Sequence, residues 1–278
     1  MDTVANPFAR LLRERAAHPP VGTWLMSASP IVAEAVGLAG FDWGVVDMEH
    51  SPLDLTTLVQ LLQALGNTPM VPVVRVPWND TVFVKRVLDA GARTLLFPFI
   101  QDADEARRAV AATRYPPEGV RGMAGMSRGS RFGTTPDYLR TANAGLCTVL
   151  QLETPLAVAR LEAIAAVPGV DALFIGPADL SAAMGHAGEL THPAVMALMA
   201  DAARRANALG LPIGSVGGTP ETVARYREIG YDYVAVASDL GLLMRAAQAA
   251  AQALRAQGAP APAAPAAPTA PARPDSGY

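Results

Sequence analysis

The stretch WGVVDMEHSPLDLTTLVQLLQAL, residues 43–65, decides how the rest of the chain is read. It opens with a short apolar, β-branched run, WGVVDM (43–48), of the kind that forms a strand buried on both faces. It closes with a helical pattern over 53–65, introduced by Ser51 and Pro52 in the manner of a helix start. At the junction stand Asp47, Glu49 and His50. Burying ionisable groups unpaired is costly. Three of them at the end of a core strand therefore belong either to a structural hydrogen-bond network or to chemistry.

The same unit recurs between Val21 and Ala256. Further strand candidates are GTWLM (22–26), MVPVVRV (70–76), TLLFPF (94–99), TVLQLE (148–153), ALFIGP (172–177), LPIGSV (211–216) and YDYVAVA (231–237). Helical periodicity fills the intervals, around 30–39, 53–65, 79–89, 102–113, 154–166, 192–209, 219–229 and 239–255. Eight near-continuous apolar strands alternating with helices predict an α/β fold, a closed (β/α)8 TIM barrel with a parallel sheet covered on both faces. A doubly wound open sheet is the alternative, but no Gly-rich fingerprint follows the first strand.

The barrel domain is expected over residues 1–256, with MDTVANPFARLLRERAAHPP at its start reading as a short amphipathic helix rather than a signal segment. Residues 257–278, dominated by Ala and Pro, cannot bury a core and are expected to form a disordered tail.

Composition narrows the function classes. Apolar residues make up 51% and charged residues 17%, with a net charge of −3. That balance supports a large core and gives no general attraction to nucleic acid or anionic lipid. No apolar stretch is long enough to span a membrane. The single cysteine, Cys147, excludes an internal disulfide framework and fits a reducing cytoplasm.

A barrel collects the C-terminal ends of its strands at one mouth. Those ends carry Trp24 on the first strand, Asp47, Glu49 and His50 on the second, and Arg75 on the third. Gln151 and Glu153 end the fifth, and Asp179 follows the sixth. Each has a plain structural reading: Asp179 as a helix cap, Glu153 as part of a helix start, Arg75 as an ion-pair partner, His50 as a half-buried histidine. The set argues otherwise. Glu153 and Asp179 on neighbouring strands suit a hard divalent cation that keeps open positions for substrate oxygens. Arg75 supplies a fixed fork of donors for a carboxylate or a developing enolate oxygen. His50 can take or deliver a proton near neutral pH, and Asp47 could orient or polarise it. Together these groups point to proton transfer or C–C bond chemistry next to a carbonyl. His18, His186 and His192 lie in polar or Pro-flanked loops and are read as carrying no chemistry. The chain's one lysine, Lys85, sits mid-helix, which disfavours a Schiff-base route.

VVDMEHSPLD, VVRVPWND, VKRVLDAGA, RYPPEGVRG, VLQLETP and GVDALFIGPADLSAAMGHAGELTHP closely resemble the HpcH/HpaI family of class II pyruvate aldolases. Its members include 2-keto-3-deoxyglucarate and 4-hydroxy-2-oxoheptanedioate aldolases. The likeness runs from about Pro7 to Leu254 and is carried most specifically by QLET with IGPADLS. It implies reversible aldol cleavage of 4-hydroxy-2-oxo acids to pyruvate or hydroxypyruvate plus an aldehyde, through a metal-bound enolate. Glu153 and Asp179 would hold Mg2+, Mn2+ or Co2+, with no organic cofactor. His50 would be the base, Arg75 would stabilise the enolate, and Gln151 with the amides of Ala178 and Asp179 would hold the pyruvate moiety. Asp89 would match a family aspartate that raises the basicity of the histidine, reaching it from a neighbouring subunit. The resemblance further implies a hexamer, a trimer of dimers, that often exchanges its last helix. In GSVGGTP (214–220), around Val216, small residues replace bulkier apolar ones, suggesting a wider or more polar aldehyde pocket. CoA-ester lyases share this type of barrel and are the alternative enzyme class.

Overall fold

The computed structural model describes residues 5–257, and in it the alternating pattern closes on itself. The strands are β1 (Val21–Leu25), β2 (Trp43–Asp47), β3 (Val71–Arg75), β4 (Thr94–Phe97), β5 (Cys147–Leu152), β6 (Ala172–Ile175), β7 (Ile213–Gly217) and β8 (Tyr233–Ser238). Each pairs in parallel with the next, and β8 pairs with β1, so the sheet is a closed barrel and not an open one. The crossovers are helical: Pro30–Gly37, Leu55–Leu65, Thr81–Asp89 and Ala103–Thr113 follow β1 to β4. Pro155–Ala159 and Leu161–Ala165 follow β5, Pro177–Ala183 and Pro193–Ala208 follow β6, Pro220–Glu228 follows β7, and Asp239–Gln257 follows β8.

Side-chain caps start most of these helices where the sequence signals them. Asp54, Asp80, Asp102, Thr154 and Thr219 each accept a backbone N–H from the first turn. One expected helix, 154–166, is broken. The Arg160 amide is shared between the carbonyls of Leu156 and Ala157, a tightened turn that ends one helix and begins the next.

The inside of the barrel follows from the two-residue period of a strand. Trp43 and Val45, Val73, Cys147 and Val149, Ala172 and Phe174, and Tyr233 share one buried cluster, the barrel interior. Their sequence neighbours Val46, Val74, Leu150, Leu173 and Ile175 belong to the cluster beneath the helices. Continuing the inward parity toward the C-terminal end of each strand reaches Asp47, Arg75, Gln151 and Glu153. All four are buried, and the parity explains why: they stand directly above the apolar filling.

The opposite end is plugged. The expected N-terminal helix forms over Pro7–Glu14, capped by Asn6, whose amide also donates to the carbonyls of Arg93 and Gly145. Phe8 of this helix meets Trp43 and Tyr233 edge-on, with ring centroids 5.5 and 5.6 Å away. Gly22 makes room for that layer, because a Cβ there would lie 2.2 Å from the Trp43 ring.

The described residues divide into two compact units, one ending at Leu242 and a second beginning at Leu243, and the barrel lies in the first. The division falls inside the last helix. From residue 258 onward, the expected Ala/Pro tail lies outside the described residues. No helix among the described residues is long and apolar enough to cross a membrane.

Candidate active site

Register brings Asp47 and Arg75 side by side on β2 and β3. The two form a bidentate pair: Nε of Arg75 donates to Oδ1 of Asp47 at 2.9 Å and Nη2 donates to Oδ2 at 2.7 Å. Oδ1 also accepts the backbone N–H of Glu49 and of His50, at 3.0 and 3.3 Å, so the same carboxylate shapes the turn that leaves the strand. Glu49 approaches from the other side of the guanidinium, with Oε2 2.8 Å from Nη1, an ion pair without hydrogen-bond alignment. The Trp24 ring lies 5.5 Å from the guanidinium carbon and completes its cage. Burial works against the Arg75 charge, but Asp47, Glu49 and Glu153 outweigh it and hold its pKa above the usual arginine value.

Across the mouth the pattern reverses. Glu153 follows β5, is 2% exposed, and its Oε1 has no hydrogen-bond partner among the described residues. Oε1 of Gln151, equally buried, has none either. Burial, then the charges of Asp179 and Glu49, push the Glu153 carboxyl up to about 8 against the opposing pull of Arg75. Glu49 is raised by its burial as well, against Arg75 and His50, with Asp47 and Asp179 adding to the rise. Gly176 is required beside these groups: a Cβ would stand 2.8 Å from Oε1 of Glu153 and 3.1 Å from Nε2 of Gln151.

The helix Pro177–Ala183 begins here, with Asp179 in its first turn. Pro177 has no N–H, Gly176 has no side chain with which to cap, and the Leu180 amide is already bonded to the Gly176 carbonyl. The amides left over at this helix start are those of Ala178 and Asp179, both exposed residues. Glu153 and Asp179 thus offer carboxylate oxygens, and Ala178 and Asp179 offer N–H donors, just past the C-terminal ends of the neighbouring strands β5 and β6. A carboxylate buried without donors needs a proton or a cation. The donor set is oxygen-rich and suits Mg2+ or Mn2+.

The structure departs from the sequence reading at Asp47, gives Glu49 a contact, and leaves Asp89 away from its own chain's mouth, where an approach from a neighbouring subunit would need it. Asp47 was expected at the open mouth beside the His50 imidazole; it is instead fully buried and commits both oxygens to Arg75 and to backbone amides. The carboxylate near the imidazole is Glu49, with Oε1 3.9 Å from Nε2 of a side chain that is 59% exposed. Glu49 had no assigned role, because its contact with Arg75 depends on strand register and leaves no local sequence signal. Asp89 ends the helix Thr81–Asp89, at the pole opposite the mouth, because each crossover helix runs back against its strands. There it accepts a hydrogen bond at 2.8 Å from the buried Arg121, and the segment 122–138 packs beside it through Gly129 N–H to the Asp89 carbonyl. Val216, on the inward parity of β7, packs against the interior cluster near the mouth. Lys85 lies on a helix outside the barrel interior.

Comparison with known proteins gives a consistent set of similarities. A model of the HpcH/HpaI aldolase/citrate lyase family matches residues 21–246. A 2-dehydro-3,6-dideoxy-6-sulfogluconate aldolase of Pseudomonas putida is 53% identical over 228 residues, which is 82% of this chain and 89% of the relative. A 5-keto-4-deoxy-D-glucarate aldolase of Salmonella arizonae is 47% identical over 231 residues, 83% of this chain and 90% of the relative. Among solved structures, a HpcH/HpaI aldolase/citrate lyase family protein from Burkholderia cenocepacia superposes with a TM-score of 0.87 at 43% identity, covering 90% of this chain and all (100%) of the other.

Proposed function

The chain belongs to the HpcH/HpaI aldolase/citrate lyase family, and from that membership we propose that it is a divalent-metal-dependent class II aldolase. As a carbon–carbon lyase it would cleave 4-hydroxy-2-oxo acids of the 2-keto-3-deoxy sugar-acid type to pyruvate, or hydroxypyruvate, plus an aldehyde. Relatives at 53% and 47% identity that carry the names of aldolases for such acids support this substrate class. The observation that carries the reading is Glu153, a buried carboxylate with an unpartnered oxygen beside a caged arginine.

In the cleavage direction the C4 hydroxyl loses its proton and the C3–C4 bond breaks. Its electron pair moves onto the 2-oxo group, giving an enolate and a free aldehyde. The enolate then takes a proton at C3. His50, exposed at the rim, is the group we assign to the hydroxyl proton. Arg75 stabilises the enolate oxygen. Its fork is already oriented by Asp47, so little reorganisation is needed as charge develops. Gln151 and the amides of Ala178 and Asp179 orient the 2-oxo acid, Trp24 walls that pocket beneath Arg75, and Val216 borders the aldehyde side. A cation such as Mg2+, Mn2+ or Co2+, held by Glu153 and Asp179, would supply electrophilic pull on the 2-oxo acid's oxygens.

Asp89 enters this scheme only from a second copy, since within one chain it stands at the far pole. A hexameric assembly, a trimer of dimers, would bring that pole to a neighbour's mouth.

The test is a coupled assay of pyruvate release from a racemic 2-keto-3-deoxy sugar acid. EDTA should abolish turnover and Mg2+, Mn2+ or Co2+ should restore it. Arg75→Lys, which keeps charge but loses the fork, should lower kcat by about 100-fold. Turnover that survives complete metal removal would overturn the cation's part. Turnover confined to CoA thioesters would move the chain to the lyases.

A further inference from the structure

A second convergence of ligand-type side chains lies away from the barrel mouth. Between the helices Pro177–Ala183 and Pro193–Ala208 the sequence HAGELTH, 186–192, makes successive tight turns. Glu189 N–H bonds to the His186 carbonyl at 2.9 Å, and His192 N–H bonds to the Glu189 carbonyl at 2.9 Å. Gly188, at φ +82°, permits the first of these turns. The side chains of His186, Glu189 and His192 converge on one side of the connection.

The imidazoles of His186 and His192 stack with centroids 3.5 Å apart and planes 17° from parallel. One ligand atom from each of the three residues lies within 4.8 Å of the others. Among the described residues Glu189 has no cationic partner, and the His186 ring has no hydrogen-bonding one. Two imidazole nitrogens and a carboxylate oxygen form the donor set of an open zinc site, with three protein ligands and a fourth position for water. Imidazole suits zinc and its first-row neighbours, whereas Mg2+ and Ca2+ prefer oxygen alone.

We propose that His186, Glu189 and His192 form a second metal site, selective for Zn2+ or a similar first-row cation and separate from the carboxylate site at the mouth. Loading it takes two small adjustments. Ligand atoms around tetrahedral zinc stand roughly 3.4 Å apart, so the stacked rings fan outward to aim their lone pairs at one point. Nδ1 of His192 now accepts the Ala194 N–H at 3.3 Å, so Nε2 is the nitrogen that faces the cation. With Nε2 ligated the ring proton moves to Nδ1, and that long cap bond is given up. The bound ion clips the connection between the helix that carries Asp179 and the long helix that follows. It stabilises the folded chain by mass action, because the unfolded chain holds no such arrangement.

Zn2+ titrated into the full chain, with Mg2+ saturating the carboxylate site, tests this by calorimetry. Co2+ replacing Zn2+ should add the visible absorption of a tetrahedral site. One Zn2+ per chain should bind, and Tm should rise with it. Glu189→Gln, at an exposed side chain, should weaken Zn2+ at least 10-fold without loss of fold. His192→Asn, which keeps a capping side chain, should do the same. Glu153→Gln should leave Zn2+ binding and the Co2+ spectrum unchanged. Zn2+ affinity equal to wild type in both Glu189→Gln and His192→Asn overturns the site, as does a Zn2+ signal lost only in Glu153→Gln.

Discussion

The two halves of the barrel mouth are built from the same kinds of residue and finished differently. On the β2–β3 side, Asp47 and Arg75 neutralise one another through two aligned hydrogen bonds, with Glu49 and Trp24 closing the cage. On the β5–β6 side, Glu153 and Gln151 are as deeply buried, yet each presents an oxygen with no partner among the described residues. A protein interior tolerates the first arrangement on its own; the second is stable only with a proton or a cation. One half is complete as folded, and the other is shaped for a ligand.

The largest expected effect breaks the finished half. Asp47→Asn leaves the buried Arg75 charge facing a neutral amide and weakens the turn carrying Glu49 and His50. Removing one partner of such a pair costs about 3–5 kcal/mol, and urea unfolding should show it. A loss under about 1 kcal/mol would mean that the two halves do not differ in the way described.

The second effect belongs to the unfinished half. The Glu153 carboxyl titrates at about 8 in the fold, above its ordinary 4.5, so the folded chain keeps a proton that the unfolded chain has lost. Its contribution to stability is full below pH 4.5 and disappears as pH rises through about 8. Metal-free protein should therefore lose Tm between pH 5 and pH 8.5, by an amount on the order of a few kcal/mol in stability. Mg2+ or Mn2+ should reduce the fall, and Glu153→Gln should flatten it. An identical slope in Glu153→Gln would remove Glu153 as its source.

The smallest effect sharpens the comparison. In Gly176→Ala the new methyl meets Glu153 and Gln151 at 2.8 and 3.1 Å, and overpacking of this kind costs roughly 1–3 kcal/mol. Cation affinity should fall more than stability. Equal losses in both would reduce Gly176 to a packing position.

Most of the barrel was legible in the chain, because strand length, apolar runs and helix caps are local properties. Each of the eight strand candidates matches an observed strand to within two residues at either end. Glu153 and Asp179 could be placed at the mouth for the same reason, since each follows a strand. Asp47 could not be separated from Glu49 and His50 by sequence alone. Its commitment to Arg75 comes from parallel register between strands 28 residues apart. The convergence of His186, Glu189 and His192 was hidden for a related reason: their spacing acquires meaning only once the folded path of the loop is known.

The sequence by itself determined the repeating strand–helix unit, the class of barrel and the kinds of group at its mouth. Those follow from hydrophobic period and from chain position. Which charges are paired and which are left open was decided only by the tertiary structure. Pairing depends on register, on inward parity and on how much water each side chain loses, and none of these is a property of neighbouring residues.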